Sequence, residues 1–255
     1  MDMTKKTYSY NAHGHALSGQ IERPFDQLIE VQAGTSLATT GGYGSSRAEN
    51  FRFKEIVSFG AAYTQVSGSY NKESGSYTTL VSSTVEDLNI LDVVRADRVV
   101  ARLSSEHPPD QEEPRIRVLG SHFENLRIAG CPVDVELHNE LFLKLDTFEA
   151  FRKEFESNAE FRKMAEDPFQ TGQPQKLPER HGVMVCSLLK DVKTLCPGVK
   201  RQGHTIFVPC FGKIFLAEVR AQQCKRTLTM IRFALNCSVC GTGLIAEIVG
   251  NGIPL

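Results

Sequence analysis

The residues best suited to chemistry are the histidines, and two of them, His13 and His15, flank a single glycine. Side chains two apart in an extended chain point to one side, so both imidazoles face the same way and stand close enough to share a metal ion. A metal site needs at least one more ligand. Asn11, His107, His122 and His138 qualify only if the fold brings them there. The sequence therefore assigns no metal and no catalytic residue. It nominates His13, His15, His122 and His138 as the polar groups of a ligand pocket.

Other motifs fail on spacing or setting. Cys237-Ser238-Val239-Cys240 has the spacing of a redox pair or half a zinc knuckle, yet Cys210, Cys224 and His204 are not placed to complete a zinc site. Gly241-Thr242-Gly243 follows where a redox pair would open a helix. A β-turn that carries two thiols is the expectation. Gly41-Gly42-Tyr43-Gly44 fits neither phosphate-loop pattern. Gly34-Thr35-Ser36-Leu37-Ala38 lacks the second glycine of a nucleophile elbow. Glu112-Glu113 sits in a proline- and acid-rich stretch that reads as a solvated loop. No cofactor is implied.

Composition narrows the function classes further. A net charge of −1 with 23% charged residues leaves no field to recruit nucleic acid or an anionic membrane. The seven cysteines are odd in number and scattered among apolar neighbours, the pattern of reduced, mostly buried thiols. Met1 to Lys6 lead into Tyr, Ser, Asn, His and Gly, not into an apolar run. No apolar stretch approaches the ~18 to 20 residues of a spanning helix. A cytoplasmic protein with membrane binding unlikely is the expectation.

The elements that must position these residues are organised around two similar hexapeptides. Val85-Glu86-Asp87-Leu88-Asn89-Ile90 is echoed by Phe123-Glu124-Asn125-Leu126-Arg127-Ile128, 38 residues on (123 minus 85). Val81, Ser83 and Val85 share one face of a strand, whereas Leu88 and Ile90 fall on the other parity. The chain must bulge or turn a corner at Glu86-Asp87, and again at Glu124-Asn125. Two such strand-corner-strand units predict a mainly β fold, either a sandwich or a short solenoid-like stack.

Around these units, alternation predicts strands from Phe51 to Val66, from Val93 to Leu103 and at five places after Val183. Ser67 to Tyr77 reads as a hairpin with Asn71-Lys72-Glu73 at its tip. Its small polar residues also suggest a membrane-inserting hairpin, with Val57, Phe59, Ala61, Tyr63 and Val81 toward lipid. A helical insert is expected where Phe148, Phe151 and Phe155 align, with Asp146 and Ser157 as caps and a joint near Ser157-Asn158. The expected division is 1–145 as a β domain with an internal repeat, 146–166 as the insert, 167–182 as a loop, and 183–255 as β structure completing the same domain.

Thr84 to Asp97, within the segment from Leu80 to Leu103, resembles the bacterial choice-of-anchor P family, in which small residues, Leu, Val and a closing Ala-Asp recur in extended structure. That resemblance implies a bacterial origin and a β fold, and carries over no functional residue. The functional expectation is a non-catalytic binding or self-assembly module that uses exposed strand edges, as a homo-oligomer or with a protein partner. The alternatives are an enzyme or small-ligand binder with a barrel-like pocket, and a β-hairpin pore former.

Overall fold

The computed structural model describes residues 8–166, 176–179 and 182–254. The chain opens with β1 (Tyr8–Tyr10), β2 (His13–Arg23), β3 (Gln27–Gln32) and β4 (Thr35–Ser36). A meander of long strands follows: β5 (Gly42–Phe53), β6 (Val57–Asn71), β7 (Ser76–Ile90) and β8 (Val94–His107). Short strands then line the far side of β8: β9 (Arg115–Val118), β10 (His122–Glu124), β11 (Arg127–Ile128) and β12 (Cys131–Pro132). β13 (Asp134–Leu137) leads into helices α1 (Asn139–Lys144), α2 (Phe148–Ser157) and α3 (Ala159–Glu166). After the helices come β14 (Met184–Ser187), β15 (Leu189–Lys193), β16 (Lys200–Gln202) and β17 (Thr205–Val208). Three long strands close the fold: β18 (Gly212–Gln222), β19 (Lys225–Asn236) and β20 (Cys240–Pro254).

These strands form two large antiparallel sheets and a separate antiparallel pair, β13 with β15. The meander sheet runs β12-β11-β8-β7-β6-β5, with β9 and β10 also on β8. The return sheet runs β16-β17-β18-β19-β20-β2-β3 and joins the last long strands to the first. β20 packs on β7 and β8, and β2 packs on β6 and β7, so the core lies between two facing sheets. Of the two expected architectures this is the sandwich. Strands connected by hairpins face one another across a core and do not stack as parallel coils.

The expected corner at Glu86-Asp87 is a row that crosses the whole meander sheet. Asp87 has φ +55°, yet β7 keeps its register with β8 on both sides of it: Glu86 lies opposite Arg98 and Leu88 opposite Ala96. The second hexapeptide flanks β8 on its other side in the matching places. Phe123 lies opposite Val99, Glu124 opposite Arg98, and Arg127 opposite Arg95. Asp87, Asp97 and Asn125 are therefore level, and Asn125 Nδ2 donates to Asp97 Oδ2 at 2.6 Å. Counting outward through β6 and β5 brings Gly60 and Asn50 onto the same level. Alternate strands carry the left-handed residue: Asn50 at φ +51°, Asp87 at +55°, Asn125 at +49°. Asp and Asn tolerate that conformation better than other non-glycine residues. Gly60 has no side chain because a Cβ there would stand 2.6 Å from Asp87 Oδ2.

The consequence is a shared change of parity with no extra residue inserted. Buried residues are Val57 and Phe59, then Ala62, Thr64 and Val66 on β6; they are Val81, Ser83 and Val85, then Leu88 and Ile90 on β7. The return sheet has its own row. Ala217, Met230, Ala246, Ala16 and Ala33 are level, with Ala217 and Ala246 at φ +50° and Ala33 at +47°.

Four small polar residues of the β6–β7 hairpin, Thr64, Ser76, Thr79 and Ser83, are buried, and Thr64 Oγ1 donates to Ser83 Oγ at 3.0 Å while Thr79 pairs with Ser105 at 2.8 Å. Of the expected lipid face, Val57, Phe59 and Val81 are in the core, while Ala61 and Tyr63 are half-buried. The hairpin tip is as expected, with Glu73 N–H donating to Asn71 Oδ1 at 2.9 Å.

The helices cover β14 and β18 where the meander sheet stops, burying Phe142, Phe148, Phe151, Phe155 and Phe161. Helix begins at Asn139, seven residues before the expected 146. The caps sit one residue beyond those expected. Thr147 Oγ1 accepts from Ala150 N–H at 3.1 Å and Asn158 Oδ1 from Phe161 N–H at 3.1 Å, while Asp146 pairs with Arg117 at 3.0 Å. Glu113, expected in a solvated loop, accepts from the backbone N–H of Phe148 at 3.1 Å at the start of α2. Arg226 on β19 is fully buried against the Phe151 ring, 4.3 Å from its centre. It donates to the carbonyls of Ile116 and Leu145, which ties β19 to β9 and to the helical layer. Burial pushes its guanidinium down to about 10. Much of the expected 167–182 loop lies outside the described residues.

The cysteines depart from expectation. Cys131 and Cys196 form a disulfide that joins β12 to the loop after β15 and closes a span of 65 residues. Loop closure of that length restricts the unfolded chain by about 4 kcal/mol in the chain-entropy treatment. Of the free cysteines, Cys186 and Cys240 are buried and Cys210 is exposed.

Candidate functional site

Each row brings side chains three apart onto one face, and polar groups gather there on the outer surfaces. On the return sheet, Glu218, Thr229, Glu247 and His15 form a line across β18, β19, β20 and β2. Thr229 Oγ1 donates to Glu247 Oε2 at 2.7 Å, and His15 Nε2 lies 2.7 Å from Ser18 Oγ across the row. On the meander sheet, Tyr63 donates to Glu86, Arg98 Nη2 reaches Glu86 at 2.6 Å, and His122 Nε2 is 3.1 Å from Glu124. The Tyr63 and Arg98 hydrogen bonds hold the Glu86 carboxyl below the usual carboxylate range.

The four nominated histidines are spread over this framework. His13 and His15 do share a face of β2, and burial lowers both imidazoles. Lys225 assists at His13, whereas Glu247 opposes the shift at both. His122 is exposed on β10, on the other sheet. His138 stands at the start of α1, where burial and Lys190 lower it. Among the described residues no group of three His, Cys, Asp or Glu is arranged to hold a metal ion. Cys237 sits in the β19–β20 turn and Cys240 opens β20; they form no disulfide, and Cys240 Sγ donates to the Cys237 carbonyl at 3.5 Å.

His138 lines a cleft of about 540 Å3, within the range of small-molecule sites. One wall is apolar, from Leu141 on α1, Phe161 and Met164 on α3, and Leu189 on β15. The facing wall is the β16–β17 hairpin, with Arg201, His204 and Thr205. Behind it His204 and Glu218 are 3% and 1% exposed, with His204 Nε2 3.6 Å from Glu218 Oε2. Burial would raise the Glu218 carboxyl, but His204, Arg232 at 2.6 Å and Arg220 at 3.2 Å hold it down to about 2. Arg232 in turn lies 3.5 Å over the centre of the Phe215 ring.

Sequence reading missed Glu218 and Ser18, and weighed His204 only as a zinc ligand. A signal existed for Glu218, a lone acid inside the apolar run Ile214 to Val219, because a buried carboxylate must find cationic partners. None existed for Ser18, whose contact with His15 depends on the row.

The third element of the site is the side of the sandwich where both sheets end. β5 is twelve residues long and pairs with β6 alone among the described residues, and β3 packs beside it as the last strand of the return sheet. Leu28 and Val31 on β3 are 66% and 59% exposed, and Tyr43 on β5 is 67% exposed. Arg47, Glu49 and Arg52 occupy the later part of β5, whereas Gly42 to Ser46 carries no charge. No helix among the described residues is long and apolar enough to cross a membrane.

In comparisons with known proteins, a family model described as a domain of unknown function, DUF8256, matches residues 8–222. No curated protein and no solved structure matches the chain. The matched residues end with β18, and β19 and β20 complete the same sheet beyond them. The match spans most of the chain, which belongs to the DUF8256 family.

Proposed function

We propose that this chain is a non-catalytic binding or self-assembly module whose open strand edges accept an extended strand from a second copy or from a protein partner. The observation that carries the reading is the coincidence of two edges unpaired among the described residues, β3 and β5, with the exposed side chains Leu28, Val31 and Tyr43. An open edge offers a row of backbone donors and acceptors, and apolar side chains beside it add the burial that makes pairing favourable. The charge-free stretch Gly42 to Ser46 is the preferred pairing segment, because Arg47, Glu49 and Arg52 keep the remainder solvated. The dispersal of His13, His15 and His122 away from the His138 cleft disfavours a site built from all four.

Sedimentation velocity over a wide concentration range tests the self-assembly arm. The sedimentation coefficient should rise with concentration, and the doubly substituted Leu28→Lys, Val31→Lys protein should remain at the monomer value. Both positions are exposed, so the fold tolerates the change. A wild-type coefficient fixed at the monomer value throughout contradicts self-assembly.

A further inference from the structure

The cleft between α3 and the β16–β17 hairpin stands apart from the open edges and has the makings of a binding site of its own. Thr205 is 1% exposed, lines the cleft, and its Oγ1 has no hydrogen-bond partner. A buried hydroxyl without a partner costs roughly 1 to 3 kcal/mol, so a group in the cleft that bonds to it is favoured. Arg201 stands beside it. Its guanidinium has five N–H donors; Nε bonds the Gly203 carbonyl, one Nη1 hydrogen the Asp191 carboxylate, and one Nη2 hydrogen the Lys190 carbonyl. Two donors are left over, the number that a carboxylate accepts side by side.

The remaining lining decides the rest of the ligand. Lys190 and His138 add further nitrogens, while Glu160 is the one acid among the lining residues and disfavours a doubly charged group. Opposite the polar wall stand Leu141, Phe161, Met164 and Leu189. We propose that this cleft binds a small organic monocarboxylate whose carboxylate lies on Arg201 and Thr205 and whose apolar body lies against Phe161 and Met164. The charge and the apolar body are both required, because the Arg201 head group is partly screened by Asp191 and gives modest affinity alone.

Titration of the full chain with 4-fluorobenzoate, followed by fluorine NMR, tests the assignment. The expected result is saturable binding with a Kd of about 1 mM or tighter. Arg201→Gln and Thr205→Val should each weaken it about tenfold. The neutral analogue 4-fluorobenzyl alcohol should bind at least about tenfold more weakly than the acid. Lys190→Gln, on a half-exposed side chain that does not threaten the fold, should weaken it severalfold. Absence of saturable binding, equal affinity for acid and alcohol, or wild-type affinity in Arg201→Gln and Lys190→Gln overturns the proposal.

Discussion

At the scale of single residues, the ionised groups taken out of water are the informative ones. Glu218 is 1% exposed and holds its charge only because Arg232, Arg220 and His204 surround it. Its carboxyl lies at about 2 in the fold against an ordinary 4.5. The folded state therefore takes up this proton less readily than the unfolded chain, and the pair's contribution is complete above about pH 4.5 and lost as pH falls toward 2. The shift corresponds to about 3 kcal/mol. Urea unfolding at a series of pH values should show this acid limb in the wild type and a flatter one in Glu218→Gln. That variant should also be about 3 kcal/mol less stable at neutral pH, since it leaves Arg232 mostly buried beside a neutral group. Equal pH slopes in the two proteins would contradict the assignment.

At the scale of elements, the rows of left-handed residues decide which side chains meet the core. Alternation that breaks at Glu86-Asp87 and Glu124-Asn125 was legible because the flanking apolar residues are surrounded by polar ones. The matching row through Ala217, Ala246 and Ala33 was not legible. Ala217 and Ala246 sit in runs that are apolar but for a single acid, Glu218 or Glu247, so a change of parity leaves little mark on the pattern. Helix caps were placed one residue early because Asp146 and Ser157 have Glu149 and Glu160 at capping-box spacing, whereas the actual caps Thr147 and Asn158 are followed three residues on by Ala150 and Phe161 and carry no such signal. The Cys131–Cys196 pairing, across 65 residues, has no local signature.

The conformational role of the row is testable at Asp87 and Asn125, which are both exposed, and more cleanly at Asp87 because Asn125 also donates to Asp97. Glycine at either position should leave stability within about 0.5 kcal/mol of wild type, whereas valine should cost about 1 to 2 kcal/mol, the penalty of a left-handed backbone for a side chain that cannot assist it. Equal effects of glycine and valine in urea unfolding would remove the row from the account.

At the scale of the whole molecule, two sheets that end together leave one side of the sandwich without a closing strand among the described residues. Toward the other end of the return sheet the helices pack on β14 and β18, and Arg226 on β19 ties the sheet to β9 and the helical layer. In the proposed reading, this face serves strand addition and the separate cleft takes a small anion. Amide hydrogen exchange of β5 and β3 at low and high protein concentration tests the edge most directly. The account predicts that amides in Gly42 to Ser46 exchange quickly at low concentration and gain protection as concentration rises, while those of β7 and β19 do not change. Protection of β5 and β3 that is the same at both concentrations would contradict pairing of the edges between copies.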